Sequence, residues 1–271
     1  MKVRIGILVS LSFFWVLANL PASLLRNVIN SDHVSLIAPQ GTVWHGSARL
    51  VTALDIDARI RWQVTLWRPG LDLSISDENS QLGGRIEFGT AVQSLTLTGE
   101  LNARSLAPLL RRYDLFLPGV FTLNDMTFLW RSGAVQMEKP SLIAWSGGDL
   151  RYILANRQYE AFMRPLRATL DTNAQGELET RVTADGQNDG QLMVLRWRKN
   201  GSVYFGVSRG MLRLANYPWS GSESEETLIF EVERRLTHSA SPSRAQHWHF
   251  ARKRSQSSID RQANAAVLLS N

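Results

Sequence analysis

The chain has 271 residues, 44% of them hydrophobic and 20% charged, so it carries enough apolar material for a folded core and is not a disordered chain. It contains no cysteine, which excludes disulfides, thiol catalysis and cysteine zinc sites. The net charge of +6 is concentrated between Arg244 and Arg261, where five basic residues face one Asp260; the rest is nearly balanced, which argues against nucleic-acid binding.

In chain order, the first element is apolar. Ile5 to Leu20 carries no charge, follows Lys2 and Arg4, and extends through Pro21 to Leu25 before Arg26 closes it. At about 1.5 Å per residue such a helix is long enough to cross a bilayer. The basic residues ahead of it predict an inside amino terminus, so the body lies across the membrane. A cleaved secretory signal is the competing reading, with Val16 and Ala18 ahead of a cut at Asn19. Both readings export the body.

From residue 27 the dominant period is two. Ile56, Ala58, Ile60, Trp62 and Val64 alternate with Asp57, Arg59, Arg61 and Gln63, as in a strand with one dry and one wet face. The same alternation predicts strands at Leu71–Ile75, Leu95–Leu97, Leu178–Val182, Met193–Trp197 and Val203–Val207. Turn chemistry separates them at Arg68-Pro69-Gly70, Gly83-Gly84, Asn173 to Gly176, Asp185-Gly186, Asp189-Gly190 and Asn200-Gly201. One short helix is expected at Ser105–Tyr113, with Ser105 as N-cap and Pro108 in the first turn. The expected fold is mainly β, in antiparallel one-sided sheets, after an amino-terminal transmembrane helix. Residues 1–26 form the anchor, 27–130 and 131–234 two β halves, and 235–271 a disordered basic tail. Val43-Trp44-His45-Gly46 echoes Ala144-Trp145-Ser146-Gly147, which suggests a duplication of the two halves.

Chemistry-bearing patterns are sparse. Asp55 and Asp57 are spaced for one strand face beside Arg59 and Arg61, and His247-Trp248-His249 sits in the polar tail without a carboxylate partner. His33 and His45 are isolated, and no G-x-S-x-G, dinucleotide or P-loop motif occurs. No catalytic, metal or cofactor residue is assigned. An envelope-remodelling enzyme would need converging carboxylates or a Ser/Lys pair in a cleft.

One ordered set of segments carries a resemblance. Leu20-Pro21-Ala22 is followed by Gln40-Gly41-Thr42-Val43-Trp44-His45-Gly46-Ser47-Ala48, then by Trp62 to Gly70 and Leu71-Asp72-Leu73. Gly99-Glu100-Leu101, Ser105-Leu106, Leu117 to Leu123 and Trp145 to Gly147 complete it. This order resembles the type II secretion system protein N family across roughly residues 1–210. The resemblance implies a single-pass inner-membrane protein with its bulk in the periplasm. It would be a non-enzymatic accessory to protein export, and its partners other secretion components. The motif residues Gly41, Thr42, Trp44, Gly46, Trp145 and Gly147 are read as structural, the glycines letting the indoles fold over the next strand. Glu223, Glu225, Glu226 and the tail match nothing in that pattern. The alternative function is lipid handling by a periplasmic bridge-like protein, whose mark would be an open apolar groove in place of a closed core.

Overall fold

A computed structural model describes residues 12, 14–31, 33–53, 55–90, 92–131, 133–154, 156–184 and 190–235. Residues 5–11 and 13 of the span expected over residues 5–25 lie outside the described residues, as does the basic tail after residue 235. Among the described residues no helix is long and apolar enough to cross a membrane.

Helix α1 (Ser23–Ile29) leads into β1 (Val34–Gly41), β2 (His45–Thr52), β3 (Asp57–Thr65), β4 (Gly70–Ser76), β5 (Gln81–Phe88) and β6 (Gln93–Asn102). Each strand pairs antiparallel with the next. Two 3-10 turns flank the single turn α2 (Ala107–Leu110), and β7 (Leu115–Phe116) follows. The twelve-residue β8 (Val120–Arg131) pairs with β6 and offers its other edge to two strands. It holds β9 (Ala134–Met137) at Phe128–Arg131 and β10 (Ser141–Trp145) at Phe121–Leu123. β11 (Gly148–Leu154) and β12 (Arg157–Met163) then leave to join β7 in a separate three-stranded sheet. β13 (Leu166–Thr172) returns beside β10, and β14 (Leu178–Ala184), β15 (Met193–Trp197) and β16 (Ser202–Ser208) continue outward. Helix α3 (Arg209–Leu214) precedes the last strand, β17 (Leu228–Arg235). Among the described residues the result is one 14-stranded antiparallel sheet. The division expected at residue 130 falls at the end of β8, and hydrogen bonding runs on through that strand.

Register converts the alternation into two faces. Gly46, Trp62, Leu73, Gly84, Leu97 and Met126 stand opposite one another in a row across β2 to β8. Ala168, Val182, Met193, Val207 and Phe230 make a second row across β13 to β17. The other face carries Gln63, Asp72, Arg85, Thr96 and Thr127, where Arg85 pairs with Asp72 and Thr96 bonds Thr127 at 3.0 Å. Across β3 to β6 a strand read with period two therefore shows one apolar and one polar side, whereas on β15 the fully buried Val194 lies on the side of Arg181 and Arg196.

Among the described residues, two clusters of buried side chains form on the apolar face. Near β1 to β4, Ala22 and Leu25 pack on Leu36, Ala48 and Trp62. Near β10 to β14, Leu150 and Met163 of the small sheet pack with Leu192 and Ala215 on Trp145, Leu166 and Ala184. Between these clusters Leu82, Ile86, Leu95, Leu97 and Phe128 are half-buried.

Two local expectations need correction. Gly83-Gly84 is not a turn but the middle of β5, because Gly84 lies between Leu73 and Leu97, where a Cβ would sit 3.3 Å from Leu97 Cδ2. The helical segment begins at Ala103, not Ser105. Asn102 caps it by accepting from the Arg104 N–H at 3.0 Å, and the Ser105 hydroxyl is instead engaged with Ser80. Pro108 does sit in the first turn of α2.

Candidate functional site

The motif residues gather where the apolar amino-terminal segment meets the sheet. Residues 14–18 are helical, with Phe14, Trp15, Val16 and Leu17 exposed. The Gly41–Gly46 corner between β1 and β2 holds the chain that follows them. The Val43 N–H donates to Leu20 O at 2.9 Å, the Ala22 N–H to Gly41 O at 3.0 Å, and Pro21 bridges Thr42. The indole of Trp44 donates to Leu17 O at 2.8 Å. Thr42 shapes the corner from inside, its hydroxyl accepting from the backbone N–H of Trp44 and of His45. The box is thus a clamp: it satisfies backbone groups of the incoming segment that the sheet alone would leave unpaired.

The buried indole at this corner belongs to Trp62, not to Trp44. Trp62 donates to Thr42 O at 3.1 Å and lies under Gly46, where a Cβ would come within 2.5 Å of the ring. Trp44 is half-buried. Trp145 is buried, donates to Pro118 O at 2.7 Å and stacks on Phe121 at 6.2 Å between centroids. Gly147, at φ +80°, makes the chain leave the large sheet for the small one; a Cβ there would meet Met163 O at 2.4 Å. Trp44 and Trp145 therefore do different work, and the structural counterpart of Trp145 is Trp62: each is a buried indole bonded to a carbonyl of a preceding loop.

Asp55 and Asp57 do not share a strand face. Asp55 sits in the turn at φ +57°, whereas Asp57 opens β3 and pairs with Arg49 of β2. The Arg49 hydrogen bonds hold the Asp57 carboxyl below the usual carboxylate range, with desolvation acting the other way. Arg59, Arg61 and Arg104 line a shallow polar depression of about 960 Å³ beside this pair, together with Asp77 and Glu78. Among the described residues no three His, Asp or Glu side chains gather as a metal site requires. His247 and His249 lie outside the described residues.

Among the described residues the polar face holds one buried acid. Glu179 of β14 accepts from Arg181 at 2.6 Å and from Arg196 of β15. Burial pushes its carboxyl up, but the hydrogen bonds from Arg196 and Arg181 together outweigh burial and hold it below the usual range. Nearby, Arg196 and Arg198 lie over the Tyr204 ring at 5.3 and 5.7 Å. Burial and the Glu231 carboxylate push the Tyr204 phenol up to about 12. These groups are tied to one another within the sheet, and their arrangement braces β14 to β17. Of the unplaced acidic residues, Glu225 pairs with Arg213 of α3, and Glu223 accepts from the Trp219 indole at 3.0 Å.

Comparison of the chain with family models, with curated proteins and with solved structures finds no match. The family resemblance rests on the quoted segments.

Proposed function

We propose that this chain is a non-enzymatic accessory component of a type II protein secretion system, anchored in the inner membrane with its sheet in the periplasm. The observation that carries this reading is the clamp. The most specific segment of the resemblance, Gly41-Thr42-Val43-Trp44-His45-Gly46, is the corner that fixes the apolar amino-terminal segment to the sheet. Such a corner transmits the position of an anchor to a rigid sheet, which suits a part that must stand at a fixed place beside its partners. The test is a deletion in the host followed by assay of the system's cargo. Cargo should accumulate in the periplasm, and wild-type chain should restore export. Unchanged export of every cargo would sink this reading.

A second reading, periplasmic lipid handling, is favoured by the half-buried apolar stretch between the two buried clusters of the face. An open apolar strip on a long sheet offers a path for an acyl chain. Native mass spectrometry of the chain purified from membranes distinguishes the two. A stoichiometric, retained phospholipid together with normal cargo export favours lipid handling.

A further inference from the structure

We infer that one end of the large sheet, the end carrying the β3–β4 turn, rests on the surface of an anionic lipid bilayer. The inference rests on the anchored reading above and adds an orientation to it. Register places several turns together at this end. β3 ends at Thr65 and β4 begins at Gly70, opposite Glu87 near the end of β5. Gln93 at the start of β6 stands opposite Trp130 near the end of β8. Following the pairing onward through β10, β13 and β14, the β15–β16 turn emerges at this end as well. The Gly41–Gly46 corner is there too, since His45 stands opposite Gln63.

The side chains at this end are the wrong ones for water. Trp67 is 98% exposed and Leu66 73% in the β3–β4 turn; Phe88, at the neighbouring strand end, is 50% exposed. Trp130 is 38% and Trp197 53% exposed. Among the described residues, the four exposed tryptophans are Trp15, Trp67, Trp130 and Trp197, and all four lie at this end. A tryptophan left in water is unusual, whereas the membrane interface favours its apolar body and polar N–H.

Three of the four recur in one local pattern. Trp67-Arg68-Pro69-Gly70, Trp130-Arg131-Ser132-Gly133 and Trp197-Arg198-Lys199-Asn200-Gly201 each set an aromatic beside a cation and then turn. Arg68, Arg131 and Lys199 are exposed and complement anionic headgroups while the rings enter the interface, whereas Arg198 is engaged with Tyr204 and Glu233. The fourth, Trp15, belongs to the apolar segment that the corner clamps to this same end, so the tips and the segment would meet one bilayer. By contrast, the turn between β4 and β5 at the other end reads Asp77-Glu78-Asn79-Ser80.

The absence of cysteine permits a direct test on the full chain. Leu66→Cys, Phe14→Cys and Asn79→Cys are each labelled with an environment-sensitive fluorophore and reconstituted into phosphatidylethanolamine–phosphatidylglycerol vesicles. All three positions are exposed, so labelling leaves the packing intact. The expected result is blue-shifted emission at 14 and 66, with quenching by nitroxide lipid several times that at 79. Lipid contact at 14 with water at 66 overturns the inference and leaves the anchored reading standing. Lipid contact at 66 without contact at 14 supports the seated end and overturns the anchor. Water at both positions overturns both, and equal quenching at 66 and 79 overturns the orientation.

Discussion

Replacing Trp62 by alanine tests the register, the clamp and the core at once. Trp62 is buried, its ring lies under Gly46, and its indole donates at 3.1 Å to Thr42 O, inside the corner. Burying an aromatic of this size removes about 150–250 Å² from water, and at about 25 cal/mol per Å² this contributes about 4–6 kcal/mol as an upper bound. Alanine keeps part of that, while the lost donor leaves a carbonyl unpaired at about 1 kcal/mol. Trp62→Ala should therefore cost about 4 kcal/mol, within the range of about 3–5 seen for aromatic-to-alanine changes in cores. Trp62→Phe keeps a ring and loses the donor, so about 2 kcal/mol is expected. Gln63 points to the opposite, exposed face, and Gln63→Ala should stay within about 0.5 kcal/mol. The assay is urea unfolding of the detergent-solubilised chain by far-ultraviolet circular dichroism, where about 4 kcal/mol moves the midpoint by about 1–2 M. Equal costs at 62 and 63 would refute the reasoning, because a one-residue slip exchanges the faces.

Gly46→Ala should destabilise by about 2–3 kcal/mol, since a Cβ would meet Gln40 O at 2.4 Å and the Trp62 ring at 2.5 Å. Gly201→Ala has nothing within 4 Å and only its φ of +76° to strain, so about 1 kcal/mol is expected by the same unfolding assay. Glu179 has a folded-state carboxyl held low, so its contribution is present above the unfolded carboxylate range and lost as pH falls through the lower folded value. Melting temperature measured against pH should fall on the acid side, and Glu179→Gln should flatten that limb. At neutral pH Glu179→Gln should cost about 1–2 kcal/mol, below the figure for a fully buried pair because both guanidiniums reach water. An acid limb unchanged by that substitution would show that the pairing carries no pH dependence.

The alternation from Ile56 to Val64 was legible because period two follows directly from strand geometry, and Ala58, Ile60, Trp62 and Val64 do share one face. The strands at Leu71–Ile75, Met193–Trp197 and Val203–Val207 follow for the same reason. What the pattern could not carry is non-local pairing. β6 joins β8 past a helical segment, and β10 joins β13 past a whole hairpin, so the single 14-stranded sheet is set by contacts far apart in sequence. Gly83-Gly84 read as a turn because paired glycines usually free the backbone; here Gly84 makes room for Leu97. The two W-x-G boxes read alike, yet burial separates Trp44 from Trp145 and puts Trp62 in the equivalent place. The clamp was only half visible: the box was plain, but Leu17, Leu20 and Ala22 as its partners required the folded corner. The exposed tips had a signal in the repeated Trp-Arg ahead of a turn, which strand alternation does not register.

On the proposed function, the sheet stands across the inner membrane from the cytoplasm, held by its amino-terminal segment. The most direct measurement fuses alkaline phosphatase, or in parallel a green fluorescent protein that fluoresces only in the cytoplasm, after Arg235 at the end of β17, which leaves every described strand in place. The expected result is active phosphatase and dark fluorescent protein, with the fusion pelleting with membranes. Fluorescent fusions with inactive phosphatase would place the sheet in the cytoplasm and contradict it.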